Sequence, residues 1–243
     1  MVCTCECFKW LGEVLTLQNG DFFRVAMFGF CAFLANMLQG TEWSKKGPIL
    51  SFAMLLVCAF GGGFLAPILL SLPEHYPYPL SHDIEFFICL IAWWVRDRVS
   101  LWQSLNKFCF VRTAVAVLFE LLRAKTLFHW WSVANDNIPA SGFAQPLFGP
   151  IVIGALGGCG GLIFLKGREF VAAPLNWIVA SALIGSTALT LLTSSTFTGP
   201  IVARFGYEAD ALTISKPACH ALVAAYFVQT RLFALYNEKQ KQD

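Results

Sequence analysis

Charged residues are scarce in this sequence. Lysine, arginine, aspartate and glutamate make up 13% of its 243 residues, whereas 57% of the residues are hydrophobic. A soluble domain typically contains about 25% charged and about 45–50% apolar residues. Together with a mean hydropathy of +0.62, this scarcity excludes a disordered chain and a secreted disulfide scaffold. It leaves an integral membrane protein with several helical spans.

Two further absences narrow the function. The formal net charge is only +2, so the chain lacks the basic excess of a nucleic-acid-binding protein. It also lacks the His-Glu-x-x-His, Gly-x-Ser-x-Gly and phosphate-loop motifs of common hydrolases and nucleotide-binding enzymes. The four histidines are scattered, which indicates no metal cluster. The sequence therefore predicts neither an enzyme nor a metalloprotein.

Long apolar runs are what the sequence does contain. A membrane-spanning helix needs about 20 mostly apolar residues. Seven segments approach that length, the third and fourth only when charged flanks are included: residues 22–39, 48–72, 84–95, 108–122, 146–165, 174–195 and 211–235. We therefore predict an all-α membrane protein with seven transmembrane helices in a domain over residues 22–235. An N-terminal tail over residues 1–21 and a C-terminal tail over residues 236–243 flank it.

Loop charges and the chain ends bear on topology and location. If the N-terminus lies outside the cytosol, eleven lysines and arginines fall on the cytosolic side and six on the other, and such a cytosolic excess is typical of membrane proteins. With seven spans, the C-terminus then lies in the cytosol. Lys239 and Lys241 then resemble a retrieval signal of endoplasmic-reticulum membrane proteins, although a plain polar tail has the same composition. Cys3, Cys5 and Cys7 are compatible with a metal-binding, an acylated or a simply flexible tail.

Glycine clusters recur near the middle of the second and fifth segments. They comprise Gly61, Gly62 and Gly63 in the second, and Gly154, Gly157, Gly158, Gly160 and Gly161 in the fifth. Matched glycine-rich spans in two halves predict an inverted repeat, residues 22–100 and 105–196, followed by an accessory seventh span. If the backbone opens at both clusters, it lines a path for cations. The competing interpretation is close helix packing through G-x-x-x-G spacing.

The fourth segment carries the ionisable pair Glu120 and Arg123. Three residues apart on a helix, they can pair on one face, and charges at membrane depth usually face a cavity or a partner. Arg123 is a candidate for binding a lipid phosphate or sensing voltage. Alternatively, Arg123 and Lys125 snorkel at the end of the span.

A hydroxyl stripe in the sixth segment has two interpretations. Ser186, Thr190 and Thr193 lie on one helix face. Such a stripe either lines a pore or forms hydrogen bonds across helices, and helix packing is the favoured interpretation.

The order of these features resembles the trimeric intracellular cation (TRIC) channel family, from about Arg24 to about Gln229. The stretches that carry the resemblance are Arg24-Val-Ala-Met-Phe, Ser44-Lys-Lys-Gly-Pro48, Cys58-Ala-Phe-Gly-Gly-Gly-Phe-Leu-Ala66 with Leu69-Leu70 and Pro73, Glu120-Leu-Leu-Arg123, and Gly157-Gly-Cys-Gly-Gly161.

The resemblance implies a homotrimer with one ion path inside each subunit. It implies a channel of the endoplasmic or sarcoplasmic reticulum for monovalent cations, mainly potassium, which supplies counter-ion flux during calcium release. It also implies a phosphatidylinositol bisphosphate lipid near the basic residues of the fourth span and no other cofactor.

The sequence departs from the family pattern at two positions. Phe119 and Gly157 stand where the family typically has lysines. The glycine clusters and the resemblance together give the candidate pore or hinge residues, which are Gly61, Gly62, Gly63, Gly157, Gly158, Gly160 and Gly161. Phe119, Glu120 and Arg123 are the candidate lipid-binding or gating residues. A small-solute transporter with an inverted repeat and a non-conducting membrane scaffold remain the alternatives.

Overall fold

The part of the chain described by the computed structural model is helical. It covers residues 12–38, 41–72, 82–98, 108–140, 145–166, 177–194 and 215–240, and no strand occurs within them. Cys3, Cys5, Cys7 and Lys241 lie outside these ranges. The long helices are α1 (Gly20–Leu38), α2 (Pro48–Leu70), α3 (Asp83–Arg98), α4 (Cys109–Asn137), α5 (Phe148–Lys166), α6 (Trp177–Thr193) and α7 (Lys216–Gln240).

The helices confirm an all-α, multi-pass membrane protein. Within the described ranges, three stretches are long and apolar enough to cross a membrane, namely Gly20–Leu38, Pro48–Leu70 and Lys216–Asn237. Shorter apolar stretches lie in α5 and α6. Each long helix overlaps one of the segments predicted from the sequence.

Local sequence explains where the first two helices begin and end. The side-chain oxygen of Asn19 accepts hydrogen bonds from the backbone N–H groups of Asp21 and Phe22, at 3.0 and 3.2 Å, and so caps α1. Helix α2 begins with Pro48, whose missing N–H costs nothing in a first turn. It ends at Ser71, which adopts the left-handed conformation typical of a helix C-terminus.

Helix α4 is much longer than the predicted fourth span. It runs for 29 residues to Asn137, whereas the prediction ended at residue 122. The prediction was wrong here because it treated Arg123 and Lys125 as a polar end, although both side chains have partners inside the protein. The helix instead ends before Pro139, which forces Ile138 into an extended conformation.

The helices pack around one main apolar core and a second, smaller apolar cluster formed by Ala66, Trp130, Ala134 and Ile153. Helix α4 lies along α5 and also contacts α1 and α7, while α2 crosses α5 and α1 contacts α3. Part of the predicted N-terminal tail belongs to this body, because Thr16 and Leu17 are buried. The Lys125 ammonium donates a 2.7 Å hydrogen bond to the Leu17 carbonyl oxygen. The N-terminal segment is thereby fastened to the middle of α4.

Candidate functional site

The two glycine clusters meet at the crossing of α2 and α5. A Cβ atom on Gly62 would lie 2.7 Å from the carbonyl oxygen of Leu156 and 2.8 Å from the Cα of Gly157. One on Gly160 would lie 2.7 Å from the backbone nitrogen of Gly62. These separations are shorter than a real Cβ tolerates, so only glycine permits this approach of two backbones.

Both helices remain continuous through their glycines. The structure therefore shows the close packing considered from the sequence and no opening of the backbone in α2 or α5. Gly157 also approaches α4, since its Cβ would lie 2.8 Å from the Thr126 carbonyl oxygen. Gly158 lies against α4 and α6, and Gly63 is half-buried beside the crossing. Whether these glycines line a pore or act as hinges stays a prediction.

A small cavity adjoins the crossing. Its volume is about 40 Å³, and its wall is formed by α1, α2, α4, α5 and the first turn of α6. Cys58, Gly62, Arg123, Cys159 and Gly160 are among the lining residues. A water molecule needs about 10–15 Å³ of such volume, whereas pockets for organic ligands measure about 300–1,000 Å³. The cavity therefore fits a few waters or a bare monovalent ion but no organic solute.

Arg123 is the central polar group of the site. Its side chain is 3% exposed, which excludes the snorkelling interpretation. Its Nε donates to the carbonyl oxygen of Gly158 at 2.9 Å, and its Nη2 donates to the carbonyl oxygen of Ile178 at 2.7 Å and to Ser181 Oγ at 3.2 Å. One guanidinium thus joins α4 to both α5 and α6, at the wall of the cavity.

Glu120 supplies the countercharge. Its Oε2 accepts a hydrogen bond from Arg123 Nη1 at 2.5 Å, which confirms the pairing expected from their spacing. The Glu120 side chain is fully buried, and its other oxygen, Oε1, has no hydrogen-bond partner among the described residues. Breaking a buried ion pair on one side costs about 3–5 kcal/mol. A variant that removes only one of the two charges is therefore expected to be less stable than a variant that removes both.

Phe119 occupies its position as a packing residue. Its ring stacks on Phe30 at 5.2 Å between centroids and meets Phe33 at 4.5 Å. It also lies 5.7 Å from the Arg123 guanidinium. The aromatic ring thus fills the α1–α4 interface with apolar surface, where the resemblance would place a second cation.

The hydroxyl stripe of α6 forms hydrogen bonds between helices. Ser186 Oγ donates to the Ile151 carbonyl oxygen of α5 at 2.8 Å. Thr190 Oγ1 accepts from Trp131 Nε1 of α4 at 2.9 Å, while Thr193 bonds only to its own helix. The packing interpretation of the stripe is confirmed for Ser186 and Thr190.

Sequence reasoning missed the contribution of α7. The Phe227 ring lies 4.8 Å from the Arg123 guanidinium. The guanidinium of Arg231, one helical turn further on, lies 5.8 Å from the Phe33 ring and 5.5 Å from the Trp177 ring. The spacing of Phe227 and Arg231, four apart on one face, was the available signal, but Arg231 was taken only as a cytosolic loop charge.

Comparison with known proteins rests on structure alone. No protein-family model and no curated protein matches the chain. A structure of a Trimeric Intracellular Cation channel from C. elegans with bound Ca²⁺ matches with a TM-score of 0.65 at 20% identity, over 88% of this chain and 90% of that one. The structure of that channel in the absence of Ca²⁺ matches with a TM-score of 0.63 at 19% identity, over 92% and 96%.

A third structure, of TRIC counter-ion channels in calcium release, matches with a TM-score of 0.67 at 17% identity. The match covers 93% of this chain and 99% of that one. The chain therefore has the fold of the trimeric intracellular cation channels over nearly its whole length.

Proposed function

We propose that this chain is a divergent trimeric intracellular cation channel. It forms a homotrimer in which each subunit carries its own path for monovalent cations, mainly potassium. The observation that carries the proposal is the cavity beside the α2–α5 glycine crossing, within a fold similar to that of cation channels. The cavity volume suits an ion, and the cavity is too small for the solute of a transporter.

The arrangement of helices supports an inverted repeat. In the proposal, α1–α3 and α4–α6 are equivalent halves, and α7 follows them. Equivalent helices then contact each other, because α2 crosses α5 and α1 packs on α4. Contacts of this kind are expected around a two-fold axis, which would pass near the glycine crossing. An ion path at this place would be shared equally by both halves.

Gating follows from the position of Arg123. The guanidinium lies at the cavity wall and holds the Gly158 carbonyl, so we propose that conduction requires Arg123 to move away from α5. The structure then corresponds to a closed state.

A phosphatidylinositol bisphosphate lipid remains a proposed ligand. Arg123 already donates four hydrogen bonds within the protein. A lipid phosphate would have to replace one of the two carbonyl partners and so free the cavity wall. Adding the lipid to bilayers should raise the open probability of the wild-type protein, and an Arg123→Met variant should not respond.

The proposed setting is the endoplasmic or sarcoplasmic reticulum, with the N-terminus in the lumen and the C-terminus in the cytosol. Potassium flux would there balance the charge carried by calcium release. Protease protection in sealed microsomes tests the topology: an epitope after residue 243 should be cleaved, and one before residue 1 should be protected.

Recording in planar bilayers tests the function itself. The purified trimer under a potassium chloride gradient should give discrete current steps that reverse near the potassium equilibrium potential. A non-conducting scaffold is the second candidate, and the tight glycine contact of α2 with α5 favours it. Silence of a folded trimer, with and without inositol lipid, would overturn the channel and support the scaffold.

A further inference from the structure

Two buried polar atoms near the arginine site lack hydrogen-bond partners within the part of the chain that the structure describes. They are Oε1 of Glu120, on a fully buried carboxylate, and Nε of Arg231 on α7. A buried acceptor or donor left unsatisfied costs about 1–3 kcal/mol, and more when the group is charged. One of these atoms belongs to a negatively charged acceptor and the other to a positively charged donor, so the two are complementary in charge and in hydrogen-bonding role.

The two guanidinium groups lie around the same aromatic ring. Arg123 is 5.4 Å and Arg231 is 5.5 Å from the centroid of Trp177. Arg123 is in turn paired with Glu120. Among the described residues, this cluster contains two cations and one anion. A net positive charge in an apolar environment is unfavourable, so a closer approach of Arg231 to the Glu120 carboxylate would lower the electrostatic free energy of the cluster.

We infer that Arg231 is a second partner of Glu120, whose guanidinium docks onto the free oxygen Oε1, and that α7 thereby regulates the hold of Arg123 on α5. In the docked state the Glu120 carboxylate is shared by two guanidinium groups. Their mutual repulsion favours release of Arg123 from the Gly158 carbonyl. The pairing of Arg231 with Glu120 does not depend on whether the protein conducts ions, whereas its effect on conduction rests on the proposed function.

Packing of α7 places Arg231 where it can act in this way. Helix α7 contacts α4 and α6, and Phe227 seats it against Gly185 and above Arg123. A small rotation or slide of α7 therefore changes the separation of Arg231 from Glu120. Packed helices with two arrangements are the elements by which such shifts are transmitted. Arg231 is thus a positioning residue, and α7 is more than an accessory helix.

The first test is a thermal-unfolding cycle on detergent-purified protein, which needs no conduction. Arg231→Met retains the unbranched aliphatic stem but removes the charge, whereas Arg231→Lys retains both the stem and the charge. We expect Arg231→Met to lower Tm by about 2–4 °C and Arg231→Lys to stay close to the wild type. The effect of Arg231→Met should disappear in a Glu120→Gln background. Gln229→Met, on the exposed face of α7, is the control and should change nothing.

Equal losses for Arg231→Met and Arg231→Lys, or an undiminished loss in the Glu120→Gln background, would show a packing role only and overturn the pairing. The second test measures open probability. We expect Arg231→Met to lower it about tenfold, because docking of Arg231 favours release of Arg123, and Arg231→Lys to leave it unchanged. Coupled Tm shifts without any current would contradict the proposed function and leave the pairing standing. Additive Tm shifts would contradict the pairing whether or not the protein conducts.

Discussion

The Nε of Arg123 donates a 2.9 Å hydrogen bond to the carbonyl oxygen of Gly158. This bond joins the buried charge of α4 to the glycine-rich part of α5, and both residues lie at the wall of the same cavity. Under the proposed function, an ion passes only if the Arg123 guanidinium and the α5 backbone at Gly158 move, and this hydrogen bond couples their movements.

Substitution of Gly62 should separate α2 from α5. Even a Cβ atom at this position meets the backbone of Leu156 and Gly157, so the contact between the two helices depends on glycine here. We therefore expect Gly62→Ala to cost about 1–3 kcal/mol of stability, as overpacking does, and Gly62→Leu to cost more. Thermal unfolding followed by tryptophan fluorescence measures both. Gly20→Ala is the matched control, because a Cβ there meets nothing within 4 Å.

Loss of Arg123 should be more harmful than loss of the whole ion pair. Arg123→Met leaves the Glu120 carboxylate buried without its partner, at a cost of about 3–5 kcal/mol. The double variant Arg123→Met with Glu120→Leu removes both charges and should recover part of that loss. Unfolding midpoints in one detergent test this order. A double variant less stable than Arg123→Met would show that the carboxylate does not depend on Arg123.

The hydroxyls of α6 should matter for stability and not for ion selectivity. Ser186→Ala removes the bond to the Ile151 carbonyl, and Thr190→Val removes the bond from Trp131. Each should cost about 0.6–2 kcal/mol, the usual value for such bonds between membrane helices. Thr193→Val is the control, since Thr193 bonds only within α6. A changed reversal potential in mixed potassium and sodium solutions would instead place Ser186 or Thr190 in the path.

The N-terminal segment should detach when Lys125 loses its charge. Lys125 Nζ bonds to the Leu17 carbonyl oxygen and lies 4.2 Å from the Phe23 ring. Leu17 also has a φ of +52°, a strained value for leucine that persists only while packing and this bond enforce it. Lys125→Met should accelerate cleavage after Glu13 by a glutamate-specific protease. Lys45→Met, at an exposed lysine, should leave the cleavage rate unchanged.

The sequence predicted helix class and helix positions well because membrane spans are defined by composition. The end of α4 escaped prediction, since Arg123 and Lys125 read as a polar boundary while their actual partners lie 35 and 108 residues away in the chain. The glycine clusters were found, but their direct contact depends on how α2 crosses α5, which periodicity does not encode. The spacing of Phe227 and Arg231 marks one face of α7, but which helix that face contacts depends in the same way on three-dimensional packing.

Single-channel recording during thiol modification tests the central claim most directly. Cys58 and Cys159 line the cavity, so the silver ion, a monovalent thiol reagent without an organic group, should reach them through an open path and reduce the unitary current. The account predicts that the double variant Cys58→Ala with Cys159→Ala still conducts potassium and resists the reagent. Unitary potassium currents that the reagent leaves unchanged in the wild type, or reduces equally in the double variant, would contradict a path at the α2–α5 crossing.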